Sequence, residues 1–186
     1  MSGKLNIVIG PMFSGKSTEL LRIYNKYKTK YKILVINHKT DNRYGQNNIY
    51  THNKDSCDCI SFLDLFEYYK FFDDEYKKQF DVILIDEGQF FDDLYDYCKD
   101  MVDKEKKIVY VFGLSGDFKR KSFGEILDLV PIADNIIHLK SICYSCNDVK
   151  DASFTMRKTS NKEQVSVGGE GEYIAVCREC WLNKNK

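Results

Sequence analysis

Five short, nearly unbroken apolar runs punctuate the chain: Leu5–Ile9, Ile33–Ile36, Val82–Ile85, Ile108–Phe112 and Ile136–Leu139. A continuous apolar run of this length reads as a strand buried on both faces. Between the runs the period changes. From Ser17 onward, Leu20, Ile23, Tyr24 and Tyr27 fall at i, i+3, i+4 and i+7, the inner face of a helix. Segments Ser61–Tyr69 and Phe90–Met101 also predict helices. Ser122–Leu129 predicts a short one that stops ahead of Pro131, because a proline pushes its predecessor out of the α region. Strands alternating with helices predict an α/β domain with a mostly parallel sheet. After about Lys140 the alternation stops. The expected organisation is therefore an α/β domain over residues 1–140 and a smaller module over 141–186, too short to stand on an apolar core alone. The stretch Phe62–Phe80 mixes aromatic and charged residues and reads as a solvated helical region rather than a binding patch.

Composition narrows the class. A chain of 186 residues with 43% hydrophobic residues can bury one sizeable core. Lys plus Arg and Asp plus Glu both count 28, so the formal net charge is zero. That argues against nucleic acid or an anionic membrane as partner. No apolar run approaches the roughly 18 residues that span a bilayer. The first strand begins almost at once, leaving no room for a secretory h-region, so a reducing, cytoplasmic setting is expected. In that setting the seven cysteines favour metal binding over a disulfide framework. Cys57, Cys59 and Cys98 read as free thiols. His38, His52 and His138 lack metal-ligand spacing and read as structural.

Three motifs carry chemistry. Gly10-Pro11-Met12-Phe13-Ser14-Gly15-Lys16-Ser17 is G-x-x-x-x-G-K-S between a predicted strand and a predicted helix. Loop amides and the helix dipole there favour an anion. Lys16 adds a mobile positive charge at the outer phosphates and Ser17 a hydroxyl for magnesium. The fold expected is thus of the P-loop NTPase type, binding a nucleoside triphosphate at the carboxyl ends of the strands. Second, Asp81-Val82-Ile83-Leu84-Ile85-Asp86-Glu87 puts Asp86 at the end of a buried strand, where a magnesium-side carboxylate sits in P-loop enzymes. Glu87 should point elsewhere, because side chains alternate along an extended strand; one acid then serves magnesium and the other takes a proton from the acceptor. Third, Cys143/Cys146 and Cys177/Cys180 are two C-x-x-C pairs suited to a closed, structural four-thiolate zinc site. A redox pair and four unrelated thiols are the alternatives. Asp41-Asn42-Arg43-Tyr44 follows the second strand on the same edge; Arg43 is placed to stabilise a transferring phosphoryl group, against the plainer reading of a charged turn. Phe118, Phe123 and Tyr173 are candidates to wall a planar base, although aromatics are more often core.

Taken together, Gly10–Thr18, Asp41–Gly45, Asp86–Phe91, Phe118–Phe123 and Cys143–Cys180 resemble the type II thymidine kinases, the small cellular and poxvirus-like group. The resemblance runs over almost the whole chain and is thinnest across Asn53–Phe80 and the C-terminal tail. It implies transfer of the ATP γ-phosphate to the 5′-hydroxyl of thymidine or deoxyuridine, in pyrimidine salvage and DNA precursor synthesis. On that template Glu87 is the general base, assisted by Lys16 and Arg43. Gly10 through Thr18 hold ATP, and Ser17 and Asp86 hold Mg2+. A zinc-pinned lasso closes over the nucleoside with Gln164, Val165, Ser166, Val167 and Gly168, and Tyr173 stands close by. Phe118 stacks near the base. Met12, Leu114, Phe123 and Thr155 complete the pocket, with Asp41 and Phe90 beside the substrate. The resemblance also implies a homotetramer and feedback inhibition by dTTP at the nucleoside site.

The chain departs from that pattern in places. Leu114-Ser115-Gly116-Asp117 stands where the family usually has Leu-Asp-Gly, Met156 where lysine is common, Lys119 where glutamine is common, and Trp181 where tyrosine follows the last cysteine. Two other classes compete with the kinase reading. One is a P-loop ATPase with a zinc module acting on a partner or nucleic acid, which zero net charge weakens. The other is a non-catalytic nucleotide switch, which Glu87 argues against.

Overall fold

The computed structural model describes residues 2–41, 48–50, 56–160, 163–164 and 171–184, with Tyr50 and Asp74 through their backbone alone. Its first eight strands are β1 (Lys4–Gly10), β2 (Ile33–His38), β3 (Asn48–Tyr50), β4 (Ser56–Asp58), β5 (Ile60–Phe62), β6 (Val82–Ile85), β7 (Ile108–Leu114) and β8 (Asn135–His138). Six of them form one sheet of order β5-β2-β6-β7-β1-β8, every neighbouring pair parallel. β3 and β4 pair antiparallel as a separate ribbon. Helices α1 (Lys16–Tyr27) and α4 (Leu94–Asp103) are the long ones; α2 (Glu67–Phe71) and α3 (Asp74–Lys78) are single turns. This is the expected α/β architecture.

Strand alternation explains why both faces are apolar. Leu5, Ile7, Ile9, Ile83, Ile85, Val109 and Val111 share one core with Leu94, Tyr97, Cys98 and Met101 of α4. Val8, Val35, Val82, Leu84 and Phe112 face the other way and meet Leu20, Leu21 and Ile23 of α1. Each such side chain stabilises the fold by about 1.5–3 kcal/mol when fully buried. Cys57, Cys59 and Cys98 are buried, free thiols. Burial pushes Cys59 up to about 11 and Cys57 up to about 12, so both are inert.

Several expectations need correction. β8 is exposed along its whole length rather than buried, because it is the sheet edge. Ser61 and Phe62 lie in β5, and the helix begins only at Glu67. The reason is Asp93, whose carboxylate accepts the Leu65 and Phe66 N–H groups at 3.0 and 2.8 Å and holds a turn there. The predicted Phe90–Met101 helix starts later, at Leu94, because Gly88–Phe90 forms a 3-10 turn. Ser122–Leu129 is a run of turns, opened by Gly124 at φ 57°, and Pro131 sits inside the following 3-10 turn Val130–Ile132. Phe62–Phe80 is not simply solvated: Phe62, Leu65, Tyr68 and Phe80 enter the core, and Tyr68 meets Tyr97 edge-on at 6.0 Å. Phe71 and Tyr76 of the same stretch stay exposed.

The C-terminal part is built differently. β9 (Ser141–Ile142) pairs with β10 (Asp151–Ala152), and β11 (Phe154–Arg157) with β12 (Tyr173–Val176), both antiparallel. α5 (Arg178–Lys184) follows. Its own small core is Ala152, Met156, Ile174, Ala175 and Val176 with Cys143 and Cys177, and Phe13 from the glycine-rich loop packs against it.

Candidate active site

Sheet register sets the site. Gly10 lies beside Leu114, and Ile36 beside Ile85, so the loops after β1, β2, β6 and β7 leave the same edge. The loop after β1 turns into α1 at Gly15, whose φ of 83° is left-handed. The Glu19 N–H donates to the Gly15 carbonyl at 2.9 Å, so amides ahead of it have no acceptor within the helix. Ser14 Oγ is buried with no partner among the described residues, a hydroxyl suited to a ligand. Lys16 Nζ folds over the loop and donates to the Pro11 carbonyl at 2.8 Å. Ser17 is half-buried and Thr18 exposed on the first turn of α1.

Asp86 follows β6 directly and is 5% exposed. Its N–H donates to the Ile36 carbonyl at 2.8 Å, and its Oδ1 accepts the Glu87 N–H at 3.0 Å. Because β6 ends at Ile85, strand alternation does not set the direction of Glu87. Its backbone is left-handed, φ 52° and ψ 39°, and it opens the Gly88–Phe90 turn. A non-glycine residue held there costs about 1–2 kcal/mol, and such strain concentrates at functional sites. Asp41 stands on the same edge, its N–H donating to the His38 carbonyl at 2.9 Å. His38 braces this corner. Its Nδ1 accepts the Thr40 N–H at 3.1 Å, its Nε2–H donates to the Leu63 carbonyl at 3.1 Å, and its ring meets Phe91 edge-on at 4.7 Å. Desolvation lowers its pKa, opposed by the Leu63 carbonyl. His138 is exposed on β8, and His52 lies outside the described residues, as does Arg43.

The opposite wall comes from the loop after β7 and from the C-terminal module. Thr155, 4% exposed, accepts the Met12 N–H on Oγ1 at 3.0 Å and so ties β11 to the glycine-rich loop. Phe123 is buried and meets Phe90 edge-on at 5.4 Å. Phe118 lies under the guanidinium of Arg157 at 3.9 Å. Arg157 is 6% exposed, donates through Nε to the buried Tyr173 hydroxyl at 3.1 Å, and through Nη2 to the Gln164 carbonyl at 3.3 Å. Gln164 Nε2 in turn donates to Asp117 Oδ2 at 2.9 Å and the Ser122 carbonyl at 3.1 Å. Asp117 Oδ1 also takes the Lys119 and Lys121 N–H groups, both at 2.8 Å. Trp181 Nε1 donates to the Phe118 carbonyl at 3.2 Å, anchoring α5 to this wall. Val165, Ser166, Val167 and Gly168 lie outside the described residues. A cavity of about 430 Å³ lies alongside, lined by Arg120, His138, Phe154 and Arg178, and shares only Thr155 with the predicted residues. Arg157, Asp117 and Gln89 were not foreseen as site residues. The one available signal was Arg157 itself, a charge inside the otherwise uncharged β11–β12 pairing.

The four cysteines converge as expected. The Sγ atoms of Cys143, Cys146, Cys177 and Cys180 all lie within 4.8 Å of one another. Cys146 Sγ is 3.8 Å from Cys177 Sγ and 3.5 Å from Cys180 Sγ. Tetrahedral zinc at its usual Zn–S distance of about 2.3 Å needs sulfur pairs about 3.8 Å apart, so the cluster fits the ion. Burial works to raise the Cys143 thiol, but the Cys177 and Ser145 N–H donors and the neighbouring thiols outweigh it and bring it down to about 6.

Comparison with known proteins decides what this arrangement belongs to. The thymidine kinase family model matches residues 3–181. The chain belongs to the thymidine kinase family. The thymidine kinase of vaccinia virus (strain Western Reserve) is 40% identical over 182 residues, 97% of this chain and 98% of the viral protein. That of sheeppox virus is 39% identical over 181 residues, 97% of each. That of rice is 39% identical over 183 residues, 97% of this chain and 67% of the plant protein. Thymidine kinase function accompanies this membership. Among the described residues, no helix of this thymidine kinase family member is long and apolar enough to cross a membrane.

Proposed function

We propose that this protein transfers the γ-phosphate of ATP to the 5′-hydroxyl of thymidine, and of deoxyuridine, to give the nucleoside monophosphate for DNA precursor synthesis. The observation that carries this is the convergence of two motifs on one sheet edge. The Gly10–Thr18 loop leaves β1, the Asp86–Glu87 pair leaves β6, and β7 alone separates the two strands.

Phosphoryl transfer depends mainly on positioning and charge stabilisation. The loop amides and Lys16 hold the triphosphate, and Arg43 meets charge on the transferring group. Ser17 and Asp86 would hold Mg2+, which neutralises phosphate charge when bound. Glu87 accepts the proton of the 5′-hydroxyl as the oxygen attacks phosphorus. Met12, Leu114, Phe118, Phe123, Thr155 and Tyr173 wall the nucleoside, with Asp41 and Phe90 on the sheet side. Gln164 to Gly168 close over it and exclude water. In this reading residues 1–140 form the kinase domain, and 141–186 form a module whose four cysteines hold structural Zn2+ and pin the lasso. dTTP enters the same nucleoside pocket as inhibitor. The exposed Ile136 and Ile137 on edge strand β8 suit burial against another copy in a homotetramer, and the protein works in the cytoplasm.

The test is Glu87→Gln. Turnover falls by about 10² or more, as for a lost general base, while ATP and thymidine still bind. Near-normal turnover overturns the assignment.

A further inference from the structure

Gln89 lies two residues beyond Glu87 and is 2% exposed. Its Oε1 accepts the Leu114 N–H at 3.0 Å, and its Nε2 donates to Glu87 Oε2 at 2.5 Å. These two bonds cannot be exchanged. A backbone N–H only donates, so the oxygen end of the amide must face Leu114 and the nitrogen end must face Glu87. The backbone of β7 thus fixes a donor against the Glu87 carboxylate.

The surroundings make room for both the side chain and the backbone of Gln89. A Cβ on Gly113 would lie 2.5 Å from Gln89 Oε1, and a Cβ on Gly124 only 2.2 Å from the Gln89 carbonyl oxygen. Two glycines from different segments therefore clear the room that Gln89 occupies. Glu87 needs such a hold, because its left-handed backbone does not by itself aim the carboxylate at an acceptor.

We propose that Gln89 is a positioning residue, which orients the Glu87 carboxylate and couples it to the β7 backbone at Leu114, on the nucleoside side of the site. This rests on the reading of Glu87 as the general base. The coupling runs both ways: a nucleoside seated against Leu114 presses on the peptide that anchors Gln89, and Gln89 holds the base.

The test uses two variants: Gln89→Met, which removes the donor outright, and Gln89→Glu, which keeps the shape and the acceptor for Leu114 but can hold Glu87 only by sharing a proton with it, leaving Glu87 a poorer base. Steady-state kinetics are measured for the parent, both variants, E87Q and each double variant, with melting temperatures alongside. In both variants kcat falls about 10- to 100-fold, the range for a misplaced catalytic group, while KM for ATP stays within about threefold. In the E87Q background the same change costs less than about threefold, because groups acting as a unit are not additive. Gln89→Met, which lacks both bonds, shows the same dependence on background. Gln89→Met with parental kcat overturns the inference and leaves the base assignment standing. An equal loss in both backgrounds also overturns it, since that is what a purely structural role gives. Full turnover in E87Q alone overturns both.

Discussion

The glycine-rich loop meets the C-terminal module through the packing of Phe13 and through a polar contact at Thr155, and Thr155→Val removes that contact without changing side-chain shape. Thr155 is 4% exposed and its Oγ1 takes the Met12 N–H at 3.0 Å. Stranding a buried donor costs about 1–3 kcal/mol. Met12 is only half-buried, which places the cost in the lower half, and the new methyl group offsets it by up to about 0.8 kcal/mol. The net expectation is about 1 kcal/mol of destabilisation, read as a fall in Tm of about 2–4 °C for a chain of this size. Thr155→Ser keeps the hydroxyl and loses a buried methyl, so it costs a similar amount. Kinetics separates the two. Only T155V frees the phosphate loop, so only T155V raises KM for ATP, by about three- to tenfold, corresponding to about 0.7–1.4 kcal/mol of lost positioning. T155V with unchanged Tm and unchanged KM for ATP refutes the joint. So does T155S raising that KM as far as T155V.

Three further outcomes follow. Tyr97 is fully buried and its hydroxyl has no partner among the described residues; Tyr97→Phe therefore stabilises the fold by about 1 kcal/mol, and a loss of stability in denaturant unfolding contradicts this. His38 is held neutral, with its folded pKa lowered by desolvation. The unfolded chain then binds the proton more readily, so His38's contribution is full above the ordinary value of about 6.5 and is lost as pH falls below it, by at most about 1.4 kcal/mol per pH unit. His38→Asn should flatten that part of the stability profile between about pH 7 and 5; an identical slope in parent and variant removes His38 from the account. Freshly prepared, reduced protein should carry about one zinc per chain, and a chelator should release it and loosen the β11–β12 hairpin in hydrogen exchange. Metal analysis finding none defeats the zinc assignment.

Five of the six strands in the sheet were legible because they are apolar runs; β5 was not, its Ser61 and Phe62 reading as the start of a helix. The elements that failed are those decided by contacts distant in sequence. Asp93 converts Leu65–Phe66 from helix to turn, and β8 lies at the sheet edge, where Ile136 and Ile137 stay exposed. The phosphate loop, Asp86 and the four cysteines were legible because their chemistry fixes their spacing. Gln89 and Arg157 were not, because a glutamine or an arginine acquires meaning only from what it meets. For Gln89 that is Leu114 and Glu87; for Arg157 it is Phe118, Tyr173 and the Gln164 carbonyl. Strand alternation was expected to set the direction of Glu87, but the strand ends before it and its backbone is left-handed, which no periodicity reveals.

The central claim is phosphoryl transfer from ATP to a pyrimidine deoxynucleoside. Its most direct test incubates the protein with magnesium, γ-labelled ATP and each of thymidine, deoxyuridine, deoxycytidine, deoxyadenosine and deoxyguanosine, and resolves the labelled products. The account predicts label in the 5′-monophosphates of thymidine and deoxyuridine and none in those of the other three. Release of labelled inorganic phosphate at the same rate with or without nucleoside, and no thymidine monophosphate, would contradict it.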